Sequence, residues 1–290
     1  MLAKLLDPKN DVAFQKIFGS EQHKTVLIHF INDILEFKGD KKIEQVEFLK
    51  TIQDPDIAIK KQSVVDVLCK DLRGTQYIIE MQVAKTRGFE QRAQFYAAKT
   101  YGRQANRGDG YHHLKEVIFI AIADYIIFPD KAAYKSDHVI LDKVTYEHDL
   151  KDFSFTFIEL PKFTKKPEDP LSNMLERWCC FFKHAPQISV ADLKKLVDHP
   201  ILEEAYQALD QHYWSETEYL AYENESKRIR DHKAMLDEAE YKGEQKGREQ
   251  GRQERTFEIA KKLLATDMPM VQVKQLTQLS DEDIAKLQGN

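Results

Sequence analysis

The 290-residue chain is 42% apolar and 31% charged, with 11 glycines and 9 prolines, which excludes collagen-like and low-complexity classes and leaves one large or two smaller globular domains. With 43 Lys and Arg against 48 Asp and Glu the net charge is −5, so a globally basic nucleic-acid-binding protein is excluded, whereas a local basic groove is not. Three cysteines, Cys69 and the adjacent Cys179 and Cys180, fit neither zinc-ligand spacing nor a disulfide framework and point to a reducing compartment. The first eight residues carry no apolar leader. The longest apolar run, residues 117–128, is interrupted by Asp124 and too short to span a bilayer, so a cytoplasmic protein without a membrane partner is expected.

In chain order, the spacing predicts helices over 11–18, with Phe14 and Phe18 one turn apart, and over 23–35, where Val26, Leu27, Phe30, Ile31 and Leu35 form a core-facing stripe. A strand is expected at 46–52. Segments 63–70 and 76–83 are rich in β-branched and aromatic residues, and the intervening Asp71-Leu-Arg-Gly74 makes them a hairpin. A long helix over 88–107 follows, then a buried strand at 117–123, recognised by its unbroken apolar run, and another at 153–160. The remainder reads as helical. The predicted helices are 171–184, with Leu175, Trp178, Phe181 and Phe182 as core, then 192–197, 201–213, a polar 216–255, and short amphipathic ones at 257–264, 270–276 and, behind the cap-like Ser280, 281–287.

Residues 223–255 hold 9 acidic and 9 basic side chains among 33. That describes a near-neutral helix laced with ion pairs rather than a basic DNA-binding tail. Gly243, Gly247 and Gly251 share one face of it, suited either to close helix approach in self-association or to a loose charged spacer.

Chemistry concentrates in the hairpin. Asp66 sits between Val65 and Val67 in an apolar strand, and alternation turns it to the face opposite both neighbours. Glu80 and Gln82 share a face of the next strand while Ile79 and Met81 face away. A carboxylate in such a setting is costly unless paired or bound to a metal. The short turn brings Asp66 beside Glu80, and two converging carboxylates make a hard oxygen site suited to Mg²⁺ or Mn²⁺. The same pattern also fits a solvated face of an amphipathic hairpin. His112 and His113 are adjacent, a poor ligand geometry, and read as loop histidines.

The order of these elements is specific. Residues 7–18 (DPKNDVAFQKIF), then Asp66, then Glu80-Met-Gln82, then residues 91–101 (QRAQFYAAKTY), together with the three spaced glycines, resemble the Rpn family of recombination-promoting nucleases and transposase-like proteins within the PD-(D/E)XK nuclease superfamily. The resemblance implies an α/β, restriction-endonuclease-like αβββαβ core with a helical C-terminal extension. It divides the chain into a core over 1–165, a helical subdomain over 166–215, a charged helix over 216–255 and a small helical segment over 256–290. It implies a DNA endonuclease dependent on Mg²⁺ (or Mn²⁺ or Ca²⁺) and linked to recombination or mobile elements. Asp66 and Glu80 would be the metal ligands, with the Met81 carbonyl as a third and Asp11 matching the family's helical acid. Gln82 stands where the superfamily has Lys, and a neutral amide orients water without offsetting charge. Arg92, Tyr96 and Lys99 would supply that charge or hold phosphate, Arg92 and Tyr96 sharing a helix face. DNA and a second copy of the chain, joined through the C-terminal helices, are the expected partners. The alternative is a degenerate nuclease fold that serves as a DNA- or protein-binding assembly module.

Overall fold

The computed structural model describes residues 5–53, 63–105, 108, 110–188, 197, 199–266 and 268–288. The chain forms two compact units, residues 1–229 and 230–290.

The first unit is built on a six-stranded sheet of order β1-β4-β5-β6-β8-β7. Its strands are β1 (Val46–Phe48), β4 (Val67–Asp71), β5 (Gln76–Gln82), β6 (Val117–Ala123), β7 (Lys135–Val139) and β8 (Phe153–Glu159); β2 (Ile52–Gln53) and β3 (Ser63–Val64) pair separately. β4 and β5 form the expected antiparallel hairpin. Asp71 closes its turn by accepting the Arg73 and Thr75 amides at 2.9 and 3.0 Å, and Gly74 adopts a φ of 89° that a side chain would strain. β5, β6 and β8 run parallel, and every residue of β6 is buried because helices cover both faces.

One face packs against α3 (Phe89–Gly102), through Phe89, Ala93 and Ala97 against Leu68, Ile78, Val117, Phe119 and Phe157. The other face, with Val67, Tyr77, Ile79, Met81 and Ile120, packs against α1 (Asp11–Phe18), α2 (Lys24–Ile34), α4 (Met174–His184) and α5 (Pro200–Gln207). Phe18 is the hub there, with its ring 4.9 Å from Phe30, 6.0 Å from Trp178 and 5.8 Å from Phe182. α1 starts where Asn10 accepts the amides of Val12 and Ala13, which fixes Asp11 in the first turn.

A single helix, α6 (Glu216–Leu264), runs from the first unit into the second. Its first turns belong to α1: Tyr222 is buried and its hydroxyl accepts the Asp7 amide, Asn10 donates to the Tyr222 carbonyl, and Lys16 pairs with Glu218 at 2.6 Å. In the second unit α6 is followed by α7 (Met270–Thr277) and α8 (Asp281–Gln288), and each helix contributes one fully buried apolar residue, Ala260, Val273 and Ile284. Ser280 accepts the Asp283 amide, capping α8 as expected.

Several expectations are corrected. The strand expected over 46–52 is two short strands in different sheets. Segment 63–70 is broken at Val65–Asp66, and Val65 packs on the α3 face while Val67 packs on the other, so the two do not share a face. An extra residue in one strand re-aims its neighbours in this way. The helix expected over 88–107 is α3, which ends at Gly102. The region 201–213 is α5 plus a separate 3-10 turn, Gln211–Tyr213. The helices expected over 216–255 and 257–264 are one uninterrupted helix. β7 was not anticipated, because its sequence KSDHV is polar and it borders only β8. The helix expected over 192–197 lies outside the described residues but for Val197, which is not helical.

Candidate active site

The hairpin register sets the site. Val67 lies opposite Ile79, so the next pair outward is Asp66 and Glu80, where the ladder ends because the chain bends. The Asp66 amide donates to Glu80 Oε1 at 3.3 Å, and Asp66 Oδ2 accepts the Met81 amide at 2.8 Å. The Gln82 carbonyl accepts the Asp124 amide on the β6 side. Alternation along the strand therefore turns the Met81 amide and carbonyl to the opposite edge, toward Asp66.

Gln82 Nε2 donates to Glu80 Oε2 at 2.9 Å, and Arg92 from α3 donates through Nη2 to Gln82 Oε1. Gly88, with a φ of 79°, turns the chain into α3. Arg92 lies over the Phe89 ring at 5.0 Å, which holds the guanidinium at the start of that helix.

The electrostatics are those of two acids forced together. Burial and then the neighbouring charge of Asp11 push the Asp66 carboxyl up, against the Met81 amide and Arg92, which lower it. Burial and then Asp66 itself push Glu80 well above the usual carboxylate range, with Arg92 again opposing. Tyr96, half-buried one turn beyond Arg92, is raised by burial and feels Arg92, Glu80 and Asp66. Asp11 is raised chiefly by burial and then by Glu225, and it pairs with Arg228 at 3.2 Å.

The structure thus brings Asp66, Glu80, Gln82, Arg92 and Tyr96 together, with Asp11 close enough to act on both acids. Lys99 lies a further turn along α3, half-buried, and Asp11 and Arg92 are among the charges acting on the pair. Sequence reasoning missed Gln15, which donates to the Asp66 carbonyl, and Glu225 and Arg228 on α6. Glu225 and Arg228 lie more than 200 residues from Asp11, and no spacing rule spans that. His112 and His113 are exposed in a 3-10 turn.

Among the described residues no three His, Cys, Asp or Glu side chains are grouped to hold a metal, so a cation here would rest on two carboxylates and a backbone oxygen. That donor set fits a hard divalent ion. All are oxygens, and each carboxylate retains lone pairs beyond its present hydrogen bonds.

A helix-flanked α/β sheet with paired acids at the end of a hairpin defines a nuclease-like core of the PD-(D/E)XK type. A family model described as PD-(D/E)XK nuclease family transposase matches residues 8–239, and a second, described as the C-terminal HTH domain of the Rpn/YhgA-like nuclease family, matches residues 253–289. The chain belongs to this PD-(D/E)XK nuclease transposase family and ends in the helix-turn-helix segment of its Rpn branch. No curated relative and no solved structure matches it. The C-terminal match begins at residue 253, in the last residues of the near-neutral stretch 223–255 that argues against a basic DNA-binding tail. Among the described residues no helix is long and apolar enough to cross a membrane.

Proposed function

We propose that the protein is a divalent-metal-dependent DNA endonuclease acting in recombination or on mobile elements. The observation that carries this reading is the half-buried Asp66 beside the buried Glu80 at a strand end, joined by the Asp66 amide on Glu80 Oε1, with a cationic Arg92 one residue away through Gln82. Mg²⁺, with Mn²⁺ or Ca²⁺ as substitutes, would be held by Asp66, Glu80 and the Met81 carbonyl, and it would supply the charge that polarises the scissile phosphate and acidifies bound water. The chain's own groups do the rest. Gln82 orients the attacking water, Arg92, held by Gln82, offsets the phosphate charge that the superfamily's Lys would offset, and Tyr96 and Lys99 line the approach along α3. Asp11 tunes the acids from outside the ligand set. The helix-turn-helix segment would engage DNA, a second copy of the chain, or both, and a dimer would place two sites on one duplex. A cytoplasmic location accords with three unpaired buried cysteines.

Gln82 favours one second reading, a degenerate nuclease fold that binds DNA or protein without cutting. Plasmid incubation with Mg²⁺, Mn²⁺ or EDTA separates the two. Cleavage that requires the metal and disappears in Asp66→Ala supports the enzyme. DNA retention without cleavage in every metal supports the binding module.

A further inference from the structure

Asp66 and Glu80 are fixed by strand ends, whereas Asp11 is fixed by its contacts with α6. Asn10, the residue before it, joins the two helices. Its side-chain oxygen caps α1 by accepting the Val12 and Ala13 amides, and its nitrogen donates to the Tyr222 carbonyl at 3.1 Å and to Ser226 Oγ at 3.0 Å. Asn10 and Tyr222 are both buried, so the start of α1 and this part of α6 are held in register.

Arg228 uses that register. Its Nε and Nη2 donate to Glu225, three residues earlier on α6, at 2.6, 2.7 and 3.0 Å, and the same Nη2 donates to Asp11 Oδ2 at 3.2 Å. A planar guanidinium gripped at two points has little freedom left to lose, so its contact with Asp11 is aimed although the side chain is mostly exposed. Asp11 acts as a negative charge on both Asp66 and Glu80, and a carboxylate at that range is drawn to any cation the pair holds. The Arg228 contact opposes that draw. Among the described residues no three acids are gathered to hold a metal, so as the chain stands Asp11 lies outside the group.

We infer that Arg228 is a positioning residue that keeps Asp11 out of the metal's ligand set, leaving Asp66, Glu80 and the Met81 carbonyl as the protein donors. It rests on the nuclease reading, which supplies the metal site. A hard divalent ion takes about six oxygens, so three protein donors leave about three positions for water and phosphate, and a third carboxylate would fill one of them.

The test uses the full chain without DNA. Mn²⁺ is titrated into the wild type, Arg228→Ala, Arg228→Lys, Asp11→Asn and the Arg228→Ala/Asp11→Asn double variant, with the free ion read by electron paramagnetic resonance. An exposed ion pair is worth up to about fivefold in an equilibrium constant, so Arg228→Ala should bind Mn²⁺ about fivefold more tightly than the wild type. Arg228→Lys keeps the charge and should stay within about twofold of the wild type, on the same scale. In the Asp11→Asn background Arg228→Ala should gain less than about twofold, because the group it releases is gone. No tightening in Arg228→Ala, or an equal tightening in both backgrounds, as long-range charge alone would give, overturns the role of Arg228. Absence of Mn²⁺ binding in the wild type overturns it as well. Metal-dependent plasmid cleavage by the same preparations judges the nuclease reading separately. Coupling between the two positions in a chain that never cuts keeps the role of Arg228 and loses the enzyme, and cleavage without that coupling does the reverse.

Discussion

At the scale of single residues, the site pairs a substitution with its compensation. Gln82 cannot carry the positive charge a lysine would, yet its amide is the bridge between Glu80 and the Arg92 guanidinium. Arg92→Ala should therefore lower cleavage by about 10²–10³-fold, the range for losing one preorganised electrostatic contact, with little change in melting temperature. Gln82→Lys, by contrast, should leave cleavage standing and weaken its dependence on Arg92, which a double-mutant comparison measures. The acids themselves make a pH prediction. Both are raised, so the folded, metal-free protein holds protons that the unfolded chain has released, and stability falls as pH rises from the ordinary carboxylate range toward neutral. Urea midpoints measured in EDTA should decline over that window in the wild type, flatten in Glu80→Gln, and recover on adding Mg²⁺. A wild-type midpoint that rises with pH there would contradict the burial of the pair.

At the scale of elements, what the sequence made legible was whatever buries an unbroken or regularly spaced apolar face. The all-apolar β6, the hairpin turn at Asp71–Gly74, and the Phe14–Phe18 spacing of α1 follow from periodicity and turn chemistry alone. The site was half legible. Alternation put Asp66 and Glu80 on one face, but the break at Val65–Asp66 is a local slip that no alternation rule anticipates, because both valines are equally apolar. β7 escaped notice for the opposite reason. An edge strand touching one neighbour needs no apolar stripe, and KSDHV has none. Gln15 was invisible because its contact with the Asp66 carbonyl depends on what the fold brings near it. The aromatic cluster of α1, α2 and α4 was read correctly as core, and its size predicts its effect. Phe18, fully buried against Phe14, Phe30, Trp178 and Phe182, should cost about 3–5 kcal/mol on truncation to Ala, measured by urea denaturation.

At the scale of the whole molecule, the boundary between units falls inside α6, after Ile229, and not at that helix's start. A chain ending before Glu216 would lose the Lys16–Glu218 pair, the buried Tyr222 and the Arg228 contact to Asp11. Burying a side chain of that size is worth roughly 1.5–3 kcal/mol. A chain ending at Ile229 should consequently melt close to the wild type, while one ending at Ser215 should melt several degrees lower, as calorimetry would show. Plasmid nicking and light scattering on the longer truncation then ask what the C-terminal unit adds. Nicking without linearisation, together with a fall in mass, would assign it to assembly.

The middle of α6 carries a further consequence. Over residues 238–251, within the second unit, the helix is exposed, and its visible support is ion pairs one turn apart, Glu238–Lys242 at 2.9 Å and Glu244–Arg248 at 2.5 Å. Each such pair stabilises a helix by about 0.3–0.5 kcal/mol, whereas each of Gly243, Gly247 and Gly251 costs about 1 kcal/mol relative to Ala. Among the described residues a Cβ added at any of the three would meet nothing within 4 Å, so no packing there offsets the loss. The deficit falls on a stretch dense in lysine and arginine, and salt deepens it by screening the pairs. Brief trypsin digestion should therefore cut first near Lys246 and Arg248, faster at high ionic strength, and release the helix-turn-helix segment over 253–289 from the rest of the chain.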